Sequence, residues 1–84
     1  MTYAVQILRS AQRQLAKVER ETRLRVVRAI EGLAHDPHPH GSKKLAGREA
    51  WRIRVGAYRV VYEIHDDKLV VLVIAIGHRR DVYR

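Results

Sequence analysis

"WRIRVGAYRVVYEIH", residues 51–65, is the stretch whose reading decides the fold. Apolar side chains recur at every second position on both sides of Gly56-Ala57, as Trp51, Ile53 and Val55 and then as Tyr58, Val60, Tyr62 and Ile64. A period of two marks strands, and a two-residue separator containing glycine marks a tight antiparallel hairpin. With Gly56-Ala57 as the loop, Val55 faces Tyr58, Arg54 faces Arg59, Ile53 faces Val60 and Arg52 faces Val61. Residues directly opposite share a face of the sheet. One face of this hairpin is therefore apolar and suited to a core. The other carries Arg52, Arg54, Arg59, Val61 and Glu63.

Working outward toward the C-terminus, "KLVVLVIAI" (68–76) follows Asp66-Asp67 and predicts a third strand across a second two-residue turn. In that register Arg59 faces Ile74 and Val61 faces Leu72. Leu72, Ile74, Ile76 and, past Gly77, His78 then join the arginine face, where Arg79 follows.

Toward the N-terminus, "YAVQIL" (3–8) reads as a short first strand. Leu15, Val18, Val26, Val27, Ile30 and Leu33 fall at three- and four-residue spacings. They are interrupted by "ERET" (19–22), which has no apolar residue. This predicts two helices, about 11–19 and 22–34, with Ser10 and Thr22 as N-caps; one continuous helix is the competing reading. Pro37 and Pro39 in "HDPHPHG" end the helical region. Residues 41–49, "GSKKLAGRE", read as a polar connection. The expected fold is α+β with the order β-α-α-β-β-β, the helices packed on one face of an antiparallel meander, in one domain spanning 1–84.

Composition sets bounds on function. A chain of 84 residues, 46% hydrophobic and 31% charged, carries enough apolar surface for one small core. It contains no cysteine, which excludes disulfides and thiolate chemistry. No apolar run reaches membrane-spanning length and "MTYAVQILRSAQ" lacks the core of a secretion signal, so a cytoplasmic protein without membrane contact is expected. The net charge is +8, from 17 Lys and Arg against 9 Asp and Glu. It is shared evenly, +4 in residues 1–34 and +4 in 35–84, so it is not a detachable tail. Such a balance favours polyanionic partners, either nucleic acid or an acidic protein.

Arg54 directly opposite Arg59 is a like-charge pair, unfavourable by up to about 1 kcal/mol, and folding does not require it. A polyanion across this face turns repulsion into attraction; the alternative is that both guanidiniums splay into water. Arginine does not lose its proton at neutral pH, so such a cluster binds phosphate and offsets charge on a transition state without acting as a base. Proton transfer falls to His78 or to Tyr83, and Tyr83 or Trp51 could stack on a nucleobase. The alternative reading makes His78 an exposed terminal residue and Tyr83 a side chain packed on the helices. No carboxylate pair accompanies the arginines, so two-metal hydrolysis is not expected. Metal-independent RNA cleavage by the substrate's own 2′-hydroxyl fits the residue types. The three histidines of "HDPHPH", His35, His38 and His40, lack cysteine or spaced carboxylate partners, so they read as a loop rather than a metal site, and no cofactor is expected.

The run "WRIRVGAYRVVYEI…LVVLVIAIGHRRDVYR" resembles the RelE/ParE superfamily of bacterial and archaeal toxins, most closely its RelE branch. The similarity extends over essentially the whole chain, including "PHGSKKLAG". It implies a toxin of a type II toxin–antitoxin pair, held by a cognate RelB-like antitoxin, that enters the ribosomal A site and cuts mRNA. On that resemblance the working residues are Arg52, Arg54, Arg59, Arg79 and Tyr83. Arg52, Arg54 and Arg59 hold the phosphate backbone, Arg59 within the catalytic set. Arg79 stabilises the transition state and Tyr83 transfers a proton or stacks, with His78 as the second proton-transfer candidate. Lys43, Lys44 and Arg80 complete the phosphate-binding set. The chain departs from the family in having arginine at 52 and 54 where the best-known mRNA-cutting member has lysine, and in a shorter C-terminal segment. The family pattern also prefers Arg79 on the basic face, where strand parity here puts His78. A ParE-like gyrase inhibitor, or a protein of this fold that only binds its antitoxin, is the alternative.

Overall fold

In the computed structural model, which describes residues 2–78, the 51–65 hairpin lies inside a five-stranded sheet. The elements in chain order are β1 (Ala4–Ile7), α1 (Arg9–Ala16), α2 (Arg20–Gly32), β2 (Lys43–Lys44), β3 (Trp51–Val55), β4 (Tyr58–His65) and β5 (Val70–His78). The strand order is β1-β5-β4-β3-β2. The expected α+β meander is β3–β5. Two features extend it: β1 pairs parallel with β5, and Lys43–Lys44 of the expected polar connection adds an antiparallel edge to β3.

The helices cover one face. Ala11 of α1, and Val26 and Ile30 of α2 with Leu33 beyond it, meet Ile53, Val55, Val60, Tyr62, Val71, Val73 and Ile76 in one core. No helix of the described residues is long and apolar enough to cross a membrane.

Two helices form rather than one, but neither starts at the expected cap. Leu8 donates its backbone N–H to the Val73 carbonyl (3.0 Å), so β1 stays tied to β5 until the chain turns. The helix begins at Arg9 and Ser10 lies inside it. At α2 the Glu19 side chain accepts from the Glu21 N–H (2.8 Å), displacing Thr22 from that role. A carboxylate suits the positive end of the helix dipole. Between the helices Val18 is buried, which folds the connection inward.

The first hairpin has the expected register: Val55–Tyr58, Arg54–Arg59, Ile53–Val60 and Arg52–Val61. Gly56 takes φ +59°, a left-handed conformation open to glycine at little cost. The second hairpin does not follow expectation. His65 pairs with Val70, so the loop is Asp66–Leu69 and not Asp66-Asp67. Leu69 closes it at φ +52°, and its carbonyl accepts from the Ala4 N–H at the start of β1 (2.7 Å). Two extra loop residues preserve strand parity. A bulge then breaks it: Tyr62 pairs with Val73 but Val61 with Ala75, leaving Ile74 as the extra residue. Beyond the bulge Arg59 faces Gly77, not Ile74, and His78 faces Tyr58 on the helix side.

Candidate phosphate-binding face

The face of the sheet away from the helices gathers cations from three adjacent strands. Lys43 on β2 faces Arg52 on β3, and Arg54 on β3 faces Arg59 on β4. Alternation along β3 puts Arg52 and Arg54 side by side on this face because Trp51, Ile53 and Val55 turn to the core. Directly facing residues stand about 5 Å apart at Cβ, so Arg54 and Arg59 border one surface. Gly77, opposite Arg59 on β5, places no side chain beside that guanidinium.

The four cations are not equally presented. Lys43 and Arg54 are exposed, and Arg59 is half-buried with its Nε and Nη1 shielded from solvent. Arg52 departs from the expected exposed stripe: it is only 6% accessible and donates from Nη1 to the Gly41 carbonyl (3.4 Å). Its charge still contributes to the field of the face, while its fork is engaged in holding the 35–42 loop. Among the described residues, Glu63 on this face is bound to His65 (Oε1 to Nε2, 2.9 Å) and set back along β4 from Arg59 by Val61.

Other expected members lie elsewhere. Lys44 faces Trp51, on the opposite side of β3 from the arginines, and pairs with Glu49 (3.3 Å). Trp51 is on the core side and meets His38 edge-on, with ring centroids 4.6 Å apart, so it is not available to stack on a base at the arginine face. His78 is on the helix side as well. Its ring lies 5.9 Å from that of Tyr58, in an open cleft with Gln14, Lys17 and Val18. The bulge at Ile74 is the cause, since one extra residue turns every later side chain to the other face. Arg79, Arg80 and Tyr83 lie outside the described residues. Among the described residues no three His, Cys, Asp or Glu side chains gather as a metal set requires.

Sequence reasoning missed Arg25. A methyl group built at Gly56 would stand 3.9 Å from its Nη1, so α2 brings a further guanidinium to the β3–β4 turn. No periodic signal distinguishes Arg25 from the other basic residues of α2; only the packing of helix on hairpin does.

Tyr62 is the tyrosine nearest the middle of the sheet, but it is no candidate base. Burial pushes its phenol up to about 12, and the hydroxyl donates to the Pro37 carbonyl (2.7 Å). Tyr62 anchors the 35–42 loop, the same loop that Arg52 holds at Gly41. What Lys43, Arg52, Arg54 and Arg59 offer chemically is hydrogen-bond donors and positive charge, suited to binding a phosphodiester rather than to taking a proton from a neighbouring hydroxyl.

Comparison with known proteins places the chain among relatives of the same fold. A family model described as "ParE toxin of type II toxin-antitoxin system, parDE" matches residues 5–83. Toxin RelG of Mycobacterium tuberculosis is 33% identical over 88 residues, spanning 100% of this chain and 99% of that protein. Among solved structures, the RelBE2 toxin–antitoxin complex from Mycobacterium tuberculosis superposes with TM-score 0.82 at 28% identity, over 94% of this chain and 100% of the other. The archaeal RelE–RelB complex from Pyrococcus horikoshii OT3 gives 0.85 at 25% identity, over 98% and 100%.

Proposed function

Because this chain belongs to the RelE/ParE family of type II toxins, we propose that it is a ribosome-dependent endoribonuclease that cuts mRNA in the A site. The observation that carries this reading is the direct opposition of Arg54 and Arg59, flanked by Lys43 and Arg52, on a sheet face whose Glu63 is paired with His65. Arg59 takes the scissile phosphate: its half-buried guanidinium has less freedom than an exposed one and faces a glycine on β5. Arg54 and Lys43 hold the neighbouring backbone, and Arg52 adds charge from below. The 2′-hydroxyl of the substrate attacks phosphorus, the P–O5′ bond breaks, and a cyclic phosphate and a 5′-hydroxyl result. Arg79 offsets the charge that develops on the phosphoryl oxygens. Tyr83 carries the proton transfer, since His78 belongs to the helix side. No metal or cofactor is needed. Dependence on the ribosome follows from the arginine-rich character of the site: a face that mainly binds and stabilises relies on the programmed ribosome to align the 2′-hydroxyl.

The natural partner is an acidic antitoxin of the RelB type. The net charge of +8 favours such a chain, and the two structures most useful for comparison are toxin–antitoxin complexes.

Purified protein incubated with programmed ribosomes and with naked RNA tests the proposal. Site-specific cuts are expected on ribosomes, falling about 100-fold or more with Arg59→Ala and with Tyr83→Phe. Cutting by Arg59→Ala at the parental rate would remove the assignment. A second reading, inhibition of DNA gyrase, is favoured by the ParE description of the matching family. DNA damage signalling without mRNA cuts would establish it instead.

A further inference from the structure

Strand β5 runs nine residues, but its outer neighbour β1 accompanies it only from Val70 to Val73. Past that point the chain of β1 has turned into α1, and a side chain replaces the missing strand. Gln14 of α1 accepts a hydrogen bond from the Ile76 backbone N–H through Oε1, at 2.7 Å across 62 residues of sequence. This bond falls between two features that matter for the candidate site. On one side is the Ile74 bulge, which sets the parity of everything after it; on the other is Gly77, the residue facing Arg59. The Ile76 side chain is buried, but the cleft it lines with Gln14 is open, so without the Gln14 acceptor its N–H is left to exchange with solvent.

The geometry points to Gln14 as a positioning residue that locks the bulged end of β5 and so holds Gly77 in place opposite Arg59. Gln14 touches neither phosphate nor reacting atoms in this assignment. It acts through the β5 backbone, and the consequence for cleavage rests on the nuclease reading above. Without the acceptor, the parity set at Ile74 has one restraint fewer, and Gly77 no longer has a fixed place opposite Arg59. Misplacement of catalytic groups by about 1 Å costs on the order of 100-fold in rate, so loosening here lowers turnover while leaving recognition by the cationic face intact.

Two variants separate hydrogen bonding from packing. Gln14→Met preserves length but removes the acceptor; Gln14→Glu preserves the acceptor. With Met, the Ile76 amide is expected to exchange with solvent about tenfold faster or more. In the same variant kcat for cleavage on programmed ribosomes falls about tenfold, while KM for ribosomes stays within about twofold. Glu is expected to restore both exchange protection and kcat. Should the Met variant fail to fold, Gln14→Asn, one methylene shorter, withdraws the acceptor in its place. Met behaving as the parent, or Met and Glu failing alike, overturns the assignment. If the parental chain cuts no mRNA, the nuclease reading falls, and amide exchange alone decides Gln14: protection lost with Met and kept with Glu upholds it, equal protection overturns it.

Discussion

The β3–β4 hairpin has two faces that follow opposite rules. Toward the helices, Ile53, Val55, Val60 and Tyr62 are all buried, and each contributes by leaving water. Away from them, Arg54 and Arg59 face each other as like charges, an opposition that stabilises nothing by itself, beside Lys43 and a buried Arg52 that holds the 35–42 loop. The two sides of one hairpin thus hold residues selected by folding and a like-charge pair that folding does not require. The difference teaches where to look for function in a small domain: in residues whose placement costs free energy with no structural return.

That contrast can be broken from either side. The largest expected effect is Val60→Ala. Val60 is fully inaccessible, so the loss is about 2 kcal/mol, or a fall in melting temperature of about 8–16 °C by calorimetry. Activity per folded molecule should be unchanged; a selective loss of activity would mean the two faces are coupled.

Tyr62→Phe comes next, at about 1 kcal/mol for the lost bond to Pro37. It also carries a pH signature. Burial raises this phenol from 10.0 to about 12, so the folded state prefers the neutral form. The resulting stability is full below pH 10 and is lost as pH rises through about 12. Urea melts between pH 9 and 12 should show the parent declining more steeply than Tyr62→Phe. Tyr3, raised mainly by its hydrogen bond to Asp66, contributes with the same sign in both proteins and cancels in the comparison.

The smallest effect sharpens the contrast most. Arg54→Gln should leave stability unchanged or raise it by up to about 1 kcal/mol, because a facing charge is removed. Binding to single-stranded RNA should weaken at the same time, with the salt-dependence slope reduced by about 0.7. A destabilised Arg54→Gln would show that the arginine face supports the fold after all.

The two hairpins differ in how much of them was legible. Gly56-Ala57 lies between two runs that alternate on the core face, and a one-residue slip would turn arginines toward the helices and core residues away from them. The register of the first hairpin, and with it the meeting of Arg54 and Arg59, was therefore readable in advance. The second hairpin carries no such penalty. "LVVLVIAI" is apolar on both faces, so sliding it or inserting a bulge at Ile74 leaves hydrophobic residues inside in every case. The error fell on His78, which the expected parity assigned to the wrong face. Arg52 failed for another reason: its face was right, but burial under the 35–42 loop depends on a carbonyl eleven residues away. Lys44 could not be separated from Lys43 until β2 paired with β3.

Local pattern alone thus determined the class of fold, the helix pair, the first hairpin and the basic character of its outer face. These depend on neighbours within about a turn or a strand, where period and charge are written directly in the chain. Tertiary structure decided the parallel pairing of β1, the bulge, the side taken by His78 and the bond from Gln14 to Ile76. Each of these joins groups distant in sequence and nearly equal in local preference, so only the closing of the whole sheet against its helices could choose between them.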